Sequence, residues 1–384
     1  MDSLTQIVLG AAVGEVVLGR KVGNKAMLWG AIAGTIPDLD VYQSLFFDTL
    51  RANELHRGFS HSILFSLIFA PLIAWLIKTK EKVFLMAILT TILAYPFITI
   101  ENNLARVSIA CIVVIANFFI YRSNFNSTLA TNRDWCKLAF WALITHPLLD
   151  CHTTWGTQIL WPLPHRLAWN NIFVADPLYT LPFLIFVIIA AFYKRESIIR
   201  RRLNWVGIII SCFYMLWTLG VKWHVHQHFA KNLVYQGVDY KRITTTPTPL
   251  NSILWRATAD TDSFYYVGLY SLFDKKENEI KFTSIDHNHY LLEDLEKEDV
   301  IRRLKFLSKN WYVVRQRDSS LDFYDARFGP LQESDETIDY IFGYNLTREG
   351  GVLEAKQQER NATKMQQAFQ YLIERLMGNK KRDL

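Results

Sequence analysis

Apolar residues fill the first half of the chain in long runs broken by short basic stretches, and later thin into alternating patches. A spanning helix needs about 20 mostly apolar residues, because the hydrocarbon core of a bilayer is about 30 Å thick. Five segments approach that length: residues 62–77, 83–100, 104–121, 178–193 and 204–221. A sixth, 135–149, is shorter and carries Pro147. Two short pieces, 4–18 and 26–36, flank Arg20, Lys21 and Lys25, and predict half-buried helices paired as a hairpin that dips into the membrane. Beyond Lys222 no run reaches spanning length, and residues 244–249 (TTTPTP) predict a break before a new fold. Residues 264–273, 279–285, 311–316 and 321–324 are rich in β-branched and aromatic side chains and predict strands. Residues 353–377 predict a polar helix. The expected architecture is an α-helical polytopic membrane domain, residues 1–221, followed by a smaller soluble α+β domain, residues 222–384.

Charge divides the chain at the same place. Of 42 Lys/Arg and 36 Asp/Glu, 18 and 12 fall in residues 1–221, so the helical part carries the whole net charge of +6. With 51% apolar residues gathered in long runs, a simple soluble enzyme, a disordered chain and a disulfide-rich module are excluded. The four cysteines form no CxxC pair, which argues against a Cys-rich metal site. Asp2 opens the chain and no cation precedes Arg20, so insertion is expected to depend on the helices rather than on a cleavable signal peptide. The basic clusters Arg20/Lys21/Lys25, Lys78/Lys80/Lys82, Arg122/Arg133/Lys137 and Lys194 to Arg202 all fall at one end of the expected helices. Lys and Arg beside spans are retained in the cytoplasm. Residues 37–61, 150–177 and everything after Val221 would then lie outside, making the soluble domain extracytoplasmic. The basic surplus belongs to those loops, so the bilayer is the expected partner; no nucleic acid is indicated and no motif specifies a protein partner.

Three stretches carry chemistry: Pro37-Asp38-Leu39-Asp40, His56-Arg57-Gly58-Phe59-Ser60-His61 and Thr145-His146-Pro147-Leu148-Leu149-Asp150. The orientation argument sets all three at the outer helix ends, where ionisable residues are costly and invite a functional reading. His146 and Asp150, four apart, share one helical face and can grip one cation; a capping or hydrogen-bonded pair explains them equally well. His56 and His61 fit one site only if His56 lies on the entering loop and His61 in the first turn. Asp38 and Asp40 point the same way if extended, or serve as a cap and a solvated turn. Arg57 offers a fork of donors suited to phosphate, and a salt bridge to Asp38, Asp40 or Glu54 competes with that role. Asp176 is a candidate base or a helix cap. His152 is a weaker candidate, His224, His226 and His228 form a rival cluster without carboxylates, and His287 and His289 receive no role. No GxxxxGK[ST], GxSxG or Rossmann glycine pattern occurs.

At these motifs, together with the opening Met1 to Gln6 and Trp155-Gly156-Thr157, the sequence resembles the YdjM-type family over roughly residues 1–195. The resemblance implies an inner-membrane metal-dependent hydrolase of bacteria. The family's distant similarity to zinc-dependent phospholipase C and P1-type nucleases implies phosphoester hydrolysis and makes Asp38, His56, His61, His146 and Asp150 ligands. The expected function is therefore hydrolysis of a phosphoester or lipid-derived substrate with one or two divalent ions, zinc first. Asp40 or Asp176 would orient water or accept its proton, and Arg57 would steady the phosphoryl charge. The alternative is a non-enzymatic membrane protein with a structural metal and a partner-binding soluble domain.

Overall fold

A computed structural model of the chain describes residues 1–123, 129–275, 280–317, 320–330, 340–358 and 362–378. Helix α1 (Ser3–Val22) starts on the Asp2 side chain, which accepts the Thr5 amide, and ends on Arg20 and Lys21, as its dipole favours. It turns at Gly23 into α2 (Asn24–Thr35). The two helices nearly touch: a β-carbon on Gly10 would fall 2.3 Å from the Gly30 carbonyl oxygen, so only glycines permit this crossing. A 3-10 segment (Ile36–Leu45), α3 (Thr49–Leu55) and a short 3-10 turn (Phe59–His61) follow.

Helix α4 (Ile63–Thr99) spans two of the expected segments and leaves helical geometry at Lys80 (φ −135°, ψ 36°). Its first half runs antiparallel to α6 (Asn132–Asp150), with Lys78 on the Ala130 carbonyl and His61 against His146. Its second half follows α2 and then the 3-10 segment in parallel, through Lys25 of α2 to Glu81, and Tyr42 to the Thr91 carbonyl and Ser44 to Tyr95 from the 3-10 segment. The chain therefore folds back at Lys80. Helix α5 (Asn103–Arg122) is apolar yet has no buried residue, the signature of a helix whose solvent is lipid. After α7 (Pro177–Ala191) comes α8 (Ile198–Tyr235). Among the described residues α1, α4, α5 and α8 are long and apolar enough to cross a membrane, and α7 is a shorter apolar helix.

The basic clusters do gather at one end. Lys21 pairs with Asp134, Arg195 binds the Lys21 carbonyl, Lys82 the Tyr121 carbonyl, and Arg200 grips Glu15. The three chemical motifs lie at the other end, as does the C-terminal domain. That domain holds two four-stranded antiparallel sheets, β1-β2-β3-β4 and β5-β6-β7-β8. Their strands are β1 (Arg242–Pro247), β2 (Leu254–Asp260), β3 (Phe264–Ser271), β4 (Phe282–Asp286), β5 (Tyr312–Arg317), β6 (Ser320–Asp325), β7 (Gly343–Glu349) and β8 (Val352–Gln357). Helix α9 (Asp299–Leu307) precedes the second sheet and α10 (Ala362–Leu376) follows it.

Four expectations need correcting. Helix α8 continues past Val221, because Val225 and Phe229 are buried against Trp255, Tyr270 and Ile280 of the first sheet. Most of TTTPTP is not a break but edge strand β1, where Pro247 closes the strand without costing a ladder bond. The helix expected over 353–377 is strand β8 and then α10: Leu353 is buried between exposed neighbours, the two-residue period of a strand. Strand β4 starts at Phe282, and Glu279, where it was expected to begin, lies outside the described residues. Strands β2 and β7 had no expectation; β2 is buried at every position, so it shows no alternation.

Candidate metal centre

The tight α1/α2 crossing brings the end of α2 and the 3-10 segment beside the last turn of α6. Nε2 of His61 and Nε2 of His146 lie 3.1 Å apart. Asp38 Oδ1 is 3.4 Å from each of these nitrogens, and Asp150 Oδ2 is also 3.4 Å from each. The four ligand atoms all lie within 4.8 Å of one another. A regular tetrahedron with metal–ligand bonds of about 2.0–2.1 Å has edges of about 3.3 Å. Five of the six edges here measure 3.1–3.4 Å. The residues present thus fit a divalent cation in both donor chemistry and spacing.

The outer contacts fix the tautomers that such a cation needs. His146 Nδ1 lies 2.6 Å from the Gly34 carbonyl oxygen, an acceptor only, so this nitrogen carries the proton and Nε2 keeps its lone pair. His61 Nδ1 faces Ser60 Oγ at 2.9 Å and Asp40 Oδ2 at 3.3 Å. Asp40 also accepts from the Arg57 amide and the Ser60 hydroxyl, and meets His56 Nδ1 at 2.8 Å. Burial alone would lower the His61 pKa, but hydrogen bonds to Asp150, Asp38 and Asp40 push it up to about 10. Burial would raise Asp38 and Asp40; imidazoles hold both below the usual carboxylate range, His146 and His61 for Asp38, His56 and His61 for Asp40. The cluster therefore has an appetite for positive charge at its centre. On Asp150, Oδ1 pairs with the Met1 ammonium and accepts from the Gln6 amide at 3.0 Å.

The sequence-derived candidates separate into two groups. Asp38, His61, His146 and Asp150 converge. His56 is outside that group: its ring centroid is 5.9 Å from that of His61, and its Nδ1 is engaged by Asp40, because it precedes the turn that aims His61 inward. Arg57 adopts a left-handed backbone (φ 59°), places Nε 3.3 Å from Asp150 Oδ2 and donates to the Thr153 hydroxyl. Asp176 is occupied elsewhere: it caps α7 and accepts from Tyr214 and Ser252, joining α7, α8 and the first sheet. His152 binds Asn171, His228 packs on Tyr270, and His287 stacks on His289 inside the sheet domain. Gln6 was not anticipated as a contact of the centre, although it closes the opening Met1 to Gln6 motif.

The fold and this cluster define a helical membrane protein with an imidazole–carboxylate group, able to hold a metal ion, at one end of its helices. The chain belongs to the YdjM inner membrane protein family, whose pattern matches residues 1–225 and so contains every residue of the cluster. No curated protein and no solved structure matches the chain.

Proposed function

We propose that this protein is a membrane-bound hydrolase using a divalent cation, zinc by its donor set, to cleave a phosphoester or lipid-derived ester at the outer face of the inner membrane. The observation that carries the reading is the convergence of Asp38, His61, His146 and Asp150, five of whose six ligand–ligand distances are 3.1–3.4 Å. When bound, a divalent cation lowers the pKa of its water from about 15.7 to about 7 and so supplies hydroxide at neutral pH. Asp38 is 19% exposed while the other three side chains are fully buried, so water reaches the centre on its side. Arg57 sets its guanidinium beside Asp150, where it can steady negative charge on a phosphoryl oxygen. Asp40 and His56 act as positioning residues for His61. The basic loops at the opposite end support an extracytoplasmic centre.

A second reading is a structural ion tying the helix ends together. It is favoured by one observation: four protein atoms already complete the set, as closed structural sites do. Metal analysis of purified wild type, His61→Ala and Asp150→Ala, alongside hydrolysis of bis(p-nitrophenyl) phosphate and phospholipid, decides between them. A stoichiometric cation in wild type, lost in both variants together with turnover, is expected. Retained turnover-free metal supports the structural ion, and unchanged metal in both variants removes the centre altogether.

A further inference from the structure

A cavity of about 250 Å³ lies beside the candidate metal centre, and its walls come from both parts of the chain. His56 and Arg57 line it on one side, the same residues that contact Asp40 and Asp150. Trp155 and Phe173 form the helical-domain wall, and Phe328 and Phe342 reach in from the sheet domain. The Trp155 ring lies 6.4 Å from that of Phe328 and 5.8 Å from that of Phe342. Phe328 and Phe342 fall outside the stretch that matches the family, residues 1–225.

The two sides of the cavity differ in chemistry. Arg57 is the one guanidinium among the lining residues, and it is the group that meets an anion there; Arg166 and Arg327 lie over the Trp155 ring at 5.8 and 5.9 Å outside the lining, Arg327 paired with Asp325. The buried Trp155 indole N–H has no acceptor among the described residues. Lys309 lies against Gly156 with no carboxylate in ion-pair reach among the described residues; burial, and then Arg327 and Arg166, push its pKa down to about 7. The opposite side is aromatic. A dry cavity of about 150 Å³ accepts benzene, so 250 Å³ holds about ten heavy atoms, the size of a phosphoryl head with one aryl-sized group.

We infer that the sheet domain selects the substrate: Phe328 and Phe342 complete a pocket for the compact apolar group of an organophosphate whose phosphoryl head faces Arg57 and the metal centre. The inference takes its phosphoryl head from the hydrolase reading, but its test is one of binding. Full-length protein in detergent is titrated calorimetrically with phenylphosphonate and methylphosphonate, neither of which it can hydrolyse. Phenylphosphonate should bind about tenfold more tightly, as burying one ring predicts. Phe328→Ala/Phe342→Ala should erase that preference with metal content unchanged. Val174→Trp, which fills the cavity from the helical side, should abolish phenylphosphonate binding and spare methylphosphonate, guarding against misfolding of the sheet variant. Equal affinities in wild type, absence of phosphonate binding, or a preference that survives both variants would overturn the inference. A preserved preference without turnover of phenyl phosphate would instead sink the hydrolase reading and leave the pocket standing.

Discussion

Two imidazole lone pairs facing each other at 3.1 Å repel unless something positive lies between them. The Gly34 carbonyl, and Asp40 with the Ser60 hydroxyl it orients, create that situation, because each accepts from Nδ1–H and leaves Nε2 facing inward. Asp40→Asn keeps the volume but removes the charge that holds His61. It should weaken metal binding about 10–100-fold, the usual cost of losing such a partner, as read by chelator competition. Unchanged affinity would reduce Asp40 to a loop tether. The motifs bearing these residues were legible because charged and imidazole side chains are conspicuous at the ends of apolar runs. Their division of labour was not. Which of His56 and His61 points inward depends on the 3-10 turn at Phe59–His61 and on the left-handed backbone of Arg57, and neither leaves a spacing signature.

At the scale of elements, the centre depends on how closely α1 and α2 cross. A β-carbon on Gly10 would sit 2.3 Å from the Gly30 carbonyl, and one on Gly14 would sit 2.1 Å from the Ala26 carbonyl. Forcing the helices apart displaces Gly34 from His146 and Gln6 from Asp150, since the two helices carry one partner each. Gly10→Val should cost about 1–3 kcal/mol by overpacking, and should lower metal affinity although it touches no ligand. Thermal unfolding in detergent with and without added zinc checks this: a variant that loses stability but keeps the full metal-induced shift would uncouple the crossing from the centre. The apolar runs, broken at Lys78, Lys80 and Lys82, announced both the helices and the fold-back at Lys80, whereas the strand identity of β8 emerges only from tertiary contacts. Strand β8 is polar and short, so packing against β7 assigned it, while the helix expected over the same stretch is kept as α10.

At the scale of the whole molecule, the sheet domain and the helices are joined at the end where the chemistry lies. Leu50 of α3 is buried among Leu292, Ile301, Leu346 and Leu353, Glu54 meets Arg303 at 3.0 Å, and Asn53 donates to Tyr344. The segment leading into His56 to His61 is thus clamped by residues from the other part of the chain, a link that no local pattern in the sequence could disclose. The opposite end gathers the basic loops, and this asymmetry fixes the expected sidedness, because Lys and Arg next to spans resist translocation. Asp262, with its side chain 87% exposed, marks the sheet end, and Glu196, 67% exposed, marks the basic end. A membrane-impermeant maleimide should label Asp262→Cys in intact spheroplasts and Glu196→Cys only after lysis, with the parent chain setting the background from its own cysteines. The reverse pattern would turn the molecule over and place Asp38, His61, His146 and Asp150 toward the cytoplasm, where any ester they cleave would have to be found on the inner leaflet.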